Sequence, residues 1–251
     1  MDRSVLSSRL ATIGIAVGIV VLALGVSEIL GRTMAQLLDS LPVNLPTIPR
    51  LVLSVVLQQG LVFGGLSVIY LWIRNRDLGW IGVSLPDFKQ FLWIAGGWAV
   101  AFASAFVFGI IIILLGLNPG KNQLVRVVSE TPEALLVMIP VTILLIGPGE
   151  ELLFRGIIQG SLRERFGPIV AIVLASVIFA AAHVTSLTGG LESRIITVAL
   201  LIVPALVFAI AYERTGNLVV PALIHGLYNA TLFSLQYAAI KLGGAPAILL
   251  L

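Results

Sequence analysis

From Leu10 to Leu30 the chain carries one charged side chain, Glu28, and comparable apolar stretches recur along its whole length. A run of about 18 or more apolar residues is what a helix needs to cross the hydrocarbon of a bilayer. Further runs lie at about Leu51–Ile73, Phe91–Leu117, Ala134–Ile146, Pro168–Leu187, Ile195–Tyr212 and Leu218–Ile240. Together they predict about seven spans. Hydrophobic residues make up 59% of the 251 and charged residues 11%, against about 25% charged in soluble domains. The mean hydropathy is +1.10. No soluble core of this size hides so much apolar surface, which excludes a soluble enzyme, a secreted disulfide scaffold and a disordered chain. The absence of cysteine excludes disulfides, thiolate chemistry and Cys-ligated metal. The net charge of +3 is spread over short loops without a basic patch, so the partner implied is the lipid bilayer, not nucleic acid.

The fold expected is therefore all-α, a polytopic transmembrane helical bundle with one additional motif-bearing helix inside the membrane. Residues 1–131 read as N-terminal transmembrane helices without a usable motif, and 132–240 as the catalytic core of a single membrane domain. Pro42, Pro46 and Pro49 make a stiff linker after the first span, and Trp93 and Trp98 read as interfacial anchors. The short fourth span breaks at Gly147-Pro148-Gly149, and a separate helix follows over Glu150–Arg165, with Glu151, Arg155 and Gln159 on one stripe. Asn217 is placed to cap the last helix, where Pro221 is tolerated in the first turn. Small residues at four-residue spacing (Gly14/Gly18, Gly60/Gly64, Ala101/Ala105/Gly109) are where helices approach closely in lipid.

A charge at membrane depth costs about 2.5–3.5 kcal/mol on insertion scales and marks function more often than packing. Outside the loops such groups cluster in the C-terminal half: Glu150, Glu151, Arg155, His183 and His225, with the amide Asn229. Glu28 stands apart, within a turn of Arg32, and reads as half of an interfacial ion pair. Glu151 and Arg155 share a helix face and can pair; Glu150 points about 100° away and is free of that pair. The turn Phe166-Gly167 folds the Glu150 helix against the next span, so Glu150 and His183 both lie about 24 Å from it, level with each other. The same arithmetic sets Asn229 about 17 Å deep, within reach, and His225 about 11 Å deep, too low unless the helix tilts or starts elsewhere. A carboxylate facing an imidazole in a bundle interior can hold and deprotonate a water, and a further imidazole and a carboxamide can donate to an oxyanion.

Three sequence patterns coincide with these residues: EExxxR at Glu150-Glu151-Leu152-Leu153-Phe154-Arg155, FxxxH at Phe179–His183, and HxxxN at His225–Asn229. In these the chain resembles the CAAX-protease-and-bacteriocin-processing family of intramembrane proteases, which includes the type II CAAX prenyl endopeptidases. The resemblance covers about Pro132–Gln236. It implies an intramembrane endopeptidase with Glu150 as base and His183 as its partner on the attacking water. His225 and Asn229 would then stabilise the oxyanion, Glu151 and Arg155 would be a supporting pair, and Phe179 would pack over the site. It also implies a peptide or protein substrate, either a prenylated C-terminus or a leader peptide, and a multi-pass location in the plasma membrane of a prokaryote.

Metal is the open question. Glu150, His183 and His225 could ligate a catalytic zinc, but the HExxH pattern is absent and a glutamate–histidine mechanism needs no ion, so the metal-free reading is preferred. Two other functions compete: a non-proteolytic scaffold or immunity factor on the same fold, which would need no catalytic pair, and a proton-coupled transporter, for which no inverted repeat is visible.

Overall fold

The computed structural model describes residues 3–42 and 45–243, and seven long helices account for most of them. They are α1 (Arg3–Ser40), α2 (Thr47–Ile73), α3 (Phe88–Leu115), α4 (Ala134–Phe166), α5 (Pro168–Ser186), α6 (Leu191–Thr215) and α7 (Val219–Lys241). Six are long and apolar enough to cross a bilayer. The seventh, α7, matches them in length and is diluted by His225, Asn229 and Gln236. The expected polytopic bundle is what forms, and the protein is an integral multi-pass membrane protein. Large apolar side chains such as Val21, Trp72, Phe106 and Leu144 stand exposed on its outer faces, where lipid is the solvent. Short helices at Leu78–Ile81 and Leu124–Glu130 fill two connections. A two-residue antiparallel ladder pairs β1 (Lys121–Asn122) with β2 (Leu187–Thr188).

The chain is divided differently from expectation at one point. No break occurs at Gly147-Pro148-Gly149; the fourth span and the Glu150 helix are one continuous helix, α4. The reason is a π turn over Thr142–Ile146, through which the Gly147 N–H reaches back to Thr142 O. This widened turn stands just before Pro148, the residue with no N–H to offer. The two glycines serve close packing instead. A Cβ on Gly147 would sit 2.6 Å from the Ala222 carbonyl oxygen of α7, and one on Gly149 would sit 2.8 Å from the Gln59 side chain of α2. A second π segment in α4 covers Leu152–Gln159, and a third covers Val56–Gly64 of α2.

Helices α4 and α6 run parallel, fixed by a ladder of constant offset. Arg155 Nη2 donates to Ala205 O at 3.2 Å, Gln159 Nε2 to Ala209 O at 3.1 Å, and Arg163 Nε to Glu213 Oε1 at 2.7 Å. The predicted stripe of Glu151, Arg155 and Gln159 is thus wholly buried. Glu28 pairs with Arg32 at 2.6 Å on an exposed face. Trp93 is exposed, but Trp98 is not an interfacial anchor. Its Nε1 donates to Thr231 Oγ1 at 3.0 Å inside the α3–α7 contact. Ala101 and Ala105 do pack α3 against its neighbours, whereas Cβ atoms at Gly14, Gly18 and Gly60 would meet nothing within 4 Å. Of the proline linker, residues 43–44 lie outside the described residues, and Pro49 falls inside the first turn of α2.

The start of α7 is buried in protein. Asn217 is 2% exposed. Its Oδ1 accepts from Val219 N at 3.1 Å and its Nδ2 donates to Ser84 O and Gln90 Oε1, both at 2.9 Å. Leu218 N donates to Gly82 O at 2.7 Å. Gly82 has φ of 64°, and a Cβ there would lie 1.9 Å from Gly216 O, so only glycine fits.

Candidate active site

Four helices deliver the polar groups. Glu150 and Glu151 stand on the α-helical turn of α4 between its two π segments. His183 opens the 3₁₀ turn that ends α5, His225 and Asn229 lie one turn apart on α7, and Gln59 comes from the π segment of α2. Clustering of π turns is a recurrent feature of functional sites, since the wider turn re-aims side chains within a helix.

The centre of the arrangement is Glu150. Its Oε1 accepts from Gln59 Nε2 at 3.1 Å. Its Oε2 lies 3.8 Å from His183 Nε2 and 3.9 Å from His225 Nε2, and it bonds no protein donor among the described residues. The tautomers follow from the partners. His183 Nδ1 lies 2.9 Å from Phe179 O, and a carbonyl only accepts, so Nδ1 carries the hydrogen. His225 Nδ1 lies 2.9 Å from Glu151 Oε1, whose other oxygen meets Arg155 Nε at 3.1 Å. Nδ1 is the donor there too, and both Nε2 atoms face the free oxygen of Glu150.

Aromatic rings wall the cluster. Phe208 stacks on His225 at 4.8 Å and 15°. Phe179 meets His183 at 4.6 Å and His225 edge-on at 5.8 Å, and the Arg155 guanidinium lies 4.5 Å from its ring centroid. The site opens into a cavity of about 670 Å³ that also takes in Asn229 and runs out to Gln123 and Thr188 beside the β1–β2 ladder.

Glu150 and His183 are level, as their equal distance from the Phe166-Gly167 turn predicts. His225 is not too low: it reaches Glu151 at 2.9 Å and Glu150 at 3.9 Å. The buried start of α7 lies deeper than the α4–α5 turn and carries His225 up to both glutamates. Glu151 pairs with Arg155 as expected and also anchors His225, a contact the i, i+4 spacing alone does not reveal. Gln59 and Phe208 were not identified from sequence. The signal for Gln59 was the adjacent amides Gln58-Gln59 inside an apolar span; Phe208 carries none.

The side chains that could ligate a zinc are Glu150, His183 and His225. Bonds of about 2.0–2.2 Å in a tetrahedral site set ligand atoms about 3.4 Å apart. The separations of 3.8 and 3.9 Å lie between that spacing and the about 4.5 Å that two hydrogen bonds to one shared water would set, so the spacing by itself selects neither.

Residues 132–231 match a family model described as "Type II CAAX prenyl endopeptidase Rce1-like". That segment runs from the start of α4 into α7 and contains all three motifs, so the resemblance they carry is shown across the core of the site. The chain is also similar to an uncharacterised 24.3 kDa protein of Escherichia coli, 28% identical over 138 residues, which cover 53% of this chain and 58% of that protein. The match therefore spans less than two thirds of that relative. No solved structure matches the chain.

Proposed function

From the match to the Rce1-like endopeptidases and the geometry around Glu150, we infer that this chain is an intramembrane endopeptidase in which Glu150 and His183 activate a water. One observation carries the reading: the unbonded oxygen of Glu150 lies 3.8 Å from His183 Nε2 and 3.9 Å from His225 Nε2, near enough for all three atoms to border one water.

A water there is held by Glu150 Oε2 and His183 Nε2. As its oxygen bonds to the scissile carbonyl carbon, Glu150 takes its proton and the carbonyl electron pair moves onto oxygen. Asn229 and His225 donate to that oxyanion. His225 can donate from Nε2 only as the imidazolium, because Nδ1–H is committed to Glu151, whose carboxylate stabilises that charge. Collapse restores the C=O bond and breaks C–N. The proton held by Glu150 passes to the departing nitrogen, giving a carboxylic acid and an amine, and the acid then gives up its own proton to the more basic amine. Gln59 acts by position: it occupies Oε1 and leaves Oε2 for the water. No step requires a metal. The family description supports a substrate with a prenylated C-terminus, with a leader peptide as the alternative within the same chemistry, and a place in a prokaryotic plasma membrane.

The test is cleavage of a reporter peptide library, prenylated and unprenylated, by the purified protein in bilayers with and without chelator. Cleavage is expected to survive chelation. Loss to chelator with recovery in zinc would make the histidines ligands, and a folded protein that cleaves nothing would favour the scaffold reading.

A further inference from the structure

A second cavity, of about 560 Å³, lies between α3 and α6 at the end of the bundle opposite the mouth of the catalytic cleft. Its walls are Leu92 and Val100 of α3 and Val207 and Ile210 of α6, with Lys89 and Trp93 at one end. Lys89 is in the first turn of α3 and Trp93 one turn deeper, the depth at which amphipathic aromatic rings settle in a bilayer. Val207, Ile210, Ala211 and Arg214 fall on one stripe of α6, so Arg214 stands about one turn beyond the groove lining at that same end. Asn217 Nδ2 donating to Gln90 Oε1 at 2.9 Å ties the two helix ends together.

Lys89 and Arg214 are both exposed, and among the described residues neither pairs with a carboxylate. The acids beside them are engaged elsewhere. Asp87 caps α3 by accepting from Gln90 N at 2.8 Å, and Glu213 is held by Arg163 at 2.7 Å. Two unpaired cations thus stand where headgroups lie, above an apolar trough. The floor is smooth: a Cβ on Gly96 would meet nothing within 4 Å, while the adjacent Gly97 is closed against Ile224. From Lys89 to Val100 the trough descends about 16 Å, close to the depth of one leaflet's hydrocarbon, about 15 Å.

We propose that this groove binds an anionic phospholipid, its phosphate between Lys89 and Arg214 and one acyl chain lying along Gly96. The opposite charge of the two cations selects the anionic headgroup, and the trough supplies the apolar contact that a free phosphate lacks.

The experiment measures dissociation constants of delipidated full-length protein in neutral detergent by native mass spectrometry. The probes are dioleoylphosphatidylglycerol, dioleoylphosphatidylcholine and glycerol phosphate. The wild type is expected to prefer the phosphatidylglycerol. Each cation is worth about fivefold, so the double variant Lys89→Gln/Arg214→Gln loses about 25-fold for that lipid and little for phosphatidylcholine. Gly96→Leu, which fills the trough from a position with free space and leaves both charges, weakens phosphatidylglycerol as well. Equal binding of the two lipids by the wild type would overturn the proposal, as would either variant retaining wild-type affinity while folded. Glycerol phosphate binding as tightly as the lipid would also overturn it, leaving a headgroup-only anion site. The readout is binding, so it stands whatever the catalytic assays give.

Discussion

Removing the Arg155 guanidinium should destabilise the fold in a way that a second substitution repairs. Arg155 and Glu151 are both 0% exposed and pair at 3.1 Å. Arg155→Met keeps an apolar body between Phe179 and Phe208 but leaves the Glu151 carboxylate in a medium of low dielectric. Breaking a buried pair from one side costs about 3–5 kcal/mol. Glu151 keeps His225 Nδ1 at 2.9 Å as a second partner, which places the cost at the low end, about 3 kcal/mol. The lost bond to Ala205 O is part of that figure. At about 2–4 °C per kcal/mol for a chain of this size, the melting temperature should fall by about 6–12 °C. In Glu151→Gln/Arg155→Met the stranded charge is gone, and stability should return to within about 1–2 kcal/mol of wild type. Cleavage should stay below wild type, at the reduced level of Glu151→Gln, because His225 has lost its carboxylate. The assay is thermal unfolding in one detergent for wild type, both single variants and the double. A single variant melting within a degree of wild type, or a double variant as unstable as Arg155→Met, would refute the reasoning.

Gln59→Ala should lower kcat by about 10- to 100-fold with KM little changed, since the lost bond acts on the base and not on substrate; steady-state kinetics of the folded variant check this. Asn229→Ala should cost about 10²- to 10³-fold in kcat, the usual worth of one oxyanion donor. Gly147→Ala should lose about 1–3 kcal/mol by overpacking against the Ala222 carbonyl, whereas Gly96→Ala, with free space above it, should be neutral or up to about 1 kcal/mol more stable; paired melting curves separate the two.

Depth in a bilayer made much of the site legible, because an apolar chain confesses its few polar residues. The Phe166-Gly167 hairpin fixed the Glu150–His183 level by counting alone, since both arms start from the same turn. The count erred for His225 because it assumed that α7 begins level with the Phe166-Gly167 turn. Its true start is set by Asn217 bonding to Ser84 and Gln90, residues more than a hundred positions away, and tertiary contacts of that range leave no local pattern. The continuity of α4 was hidden for a related reason. Gly-Pro-Gly is a breaker in water, but in lipid a π turn before Pro148 and close neighbours at both glycines keep the helix whole. Gln59 was missed because two adjacent amides, Gln58 and Gln59, set no helical period and do not say which of them faces the bundle. Phe208 was missed because it looks like any other lipid-compatible residue until His225 is seen stacked upon it.

The central claim is that Glu150, and not the adjacent Glu151, is the base. The most direct measurement compares cleavage of one reporter peptide by Glu150→Gln and Glu151→Gln, each confirmed folded by its melting curve. Glu150→Gln keeps the shape of the side chain and removes only its ability to take a proton, so turnover should fall to background with the fold retained. Glu151→Gln should retain measurable, reduced turnover, because it loosens His225 without touching the water. Ordinary turnover in Glu150→Gln would contradict the account, and its loss in Glu151→Gln alone would assign the base to the neighbouring carboxylate.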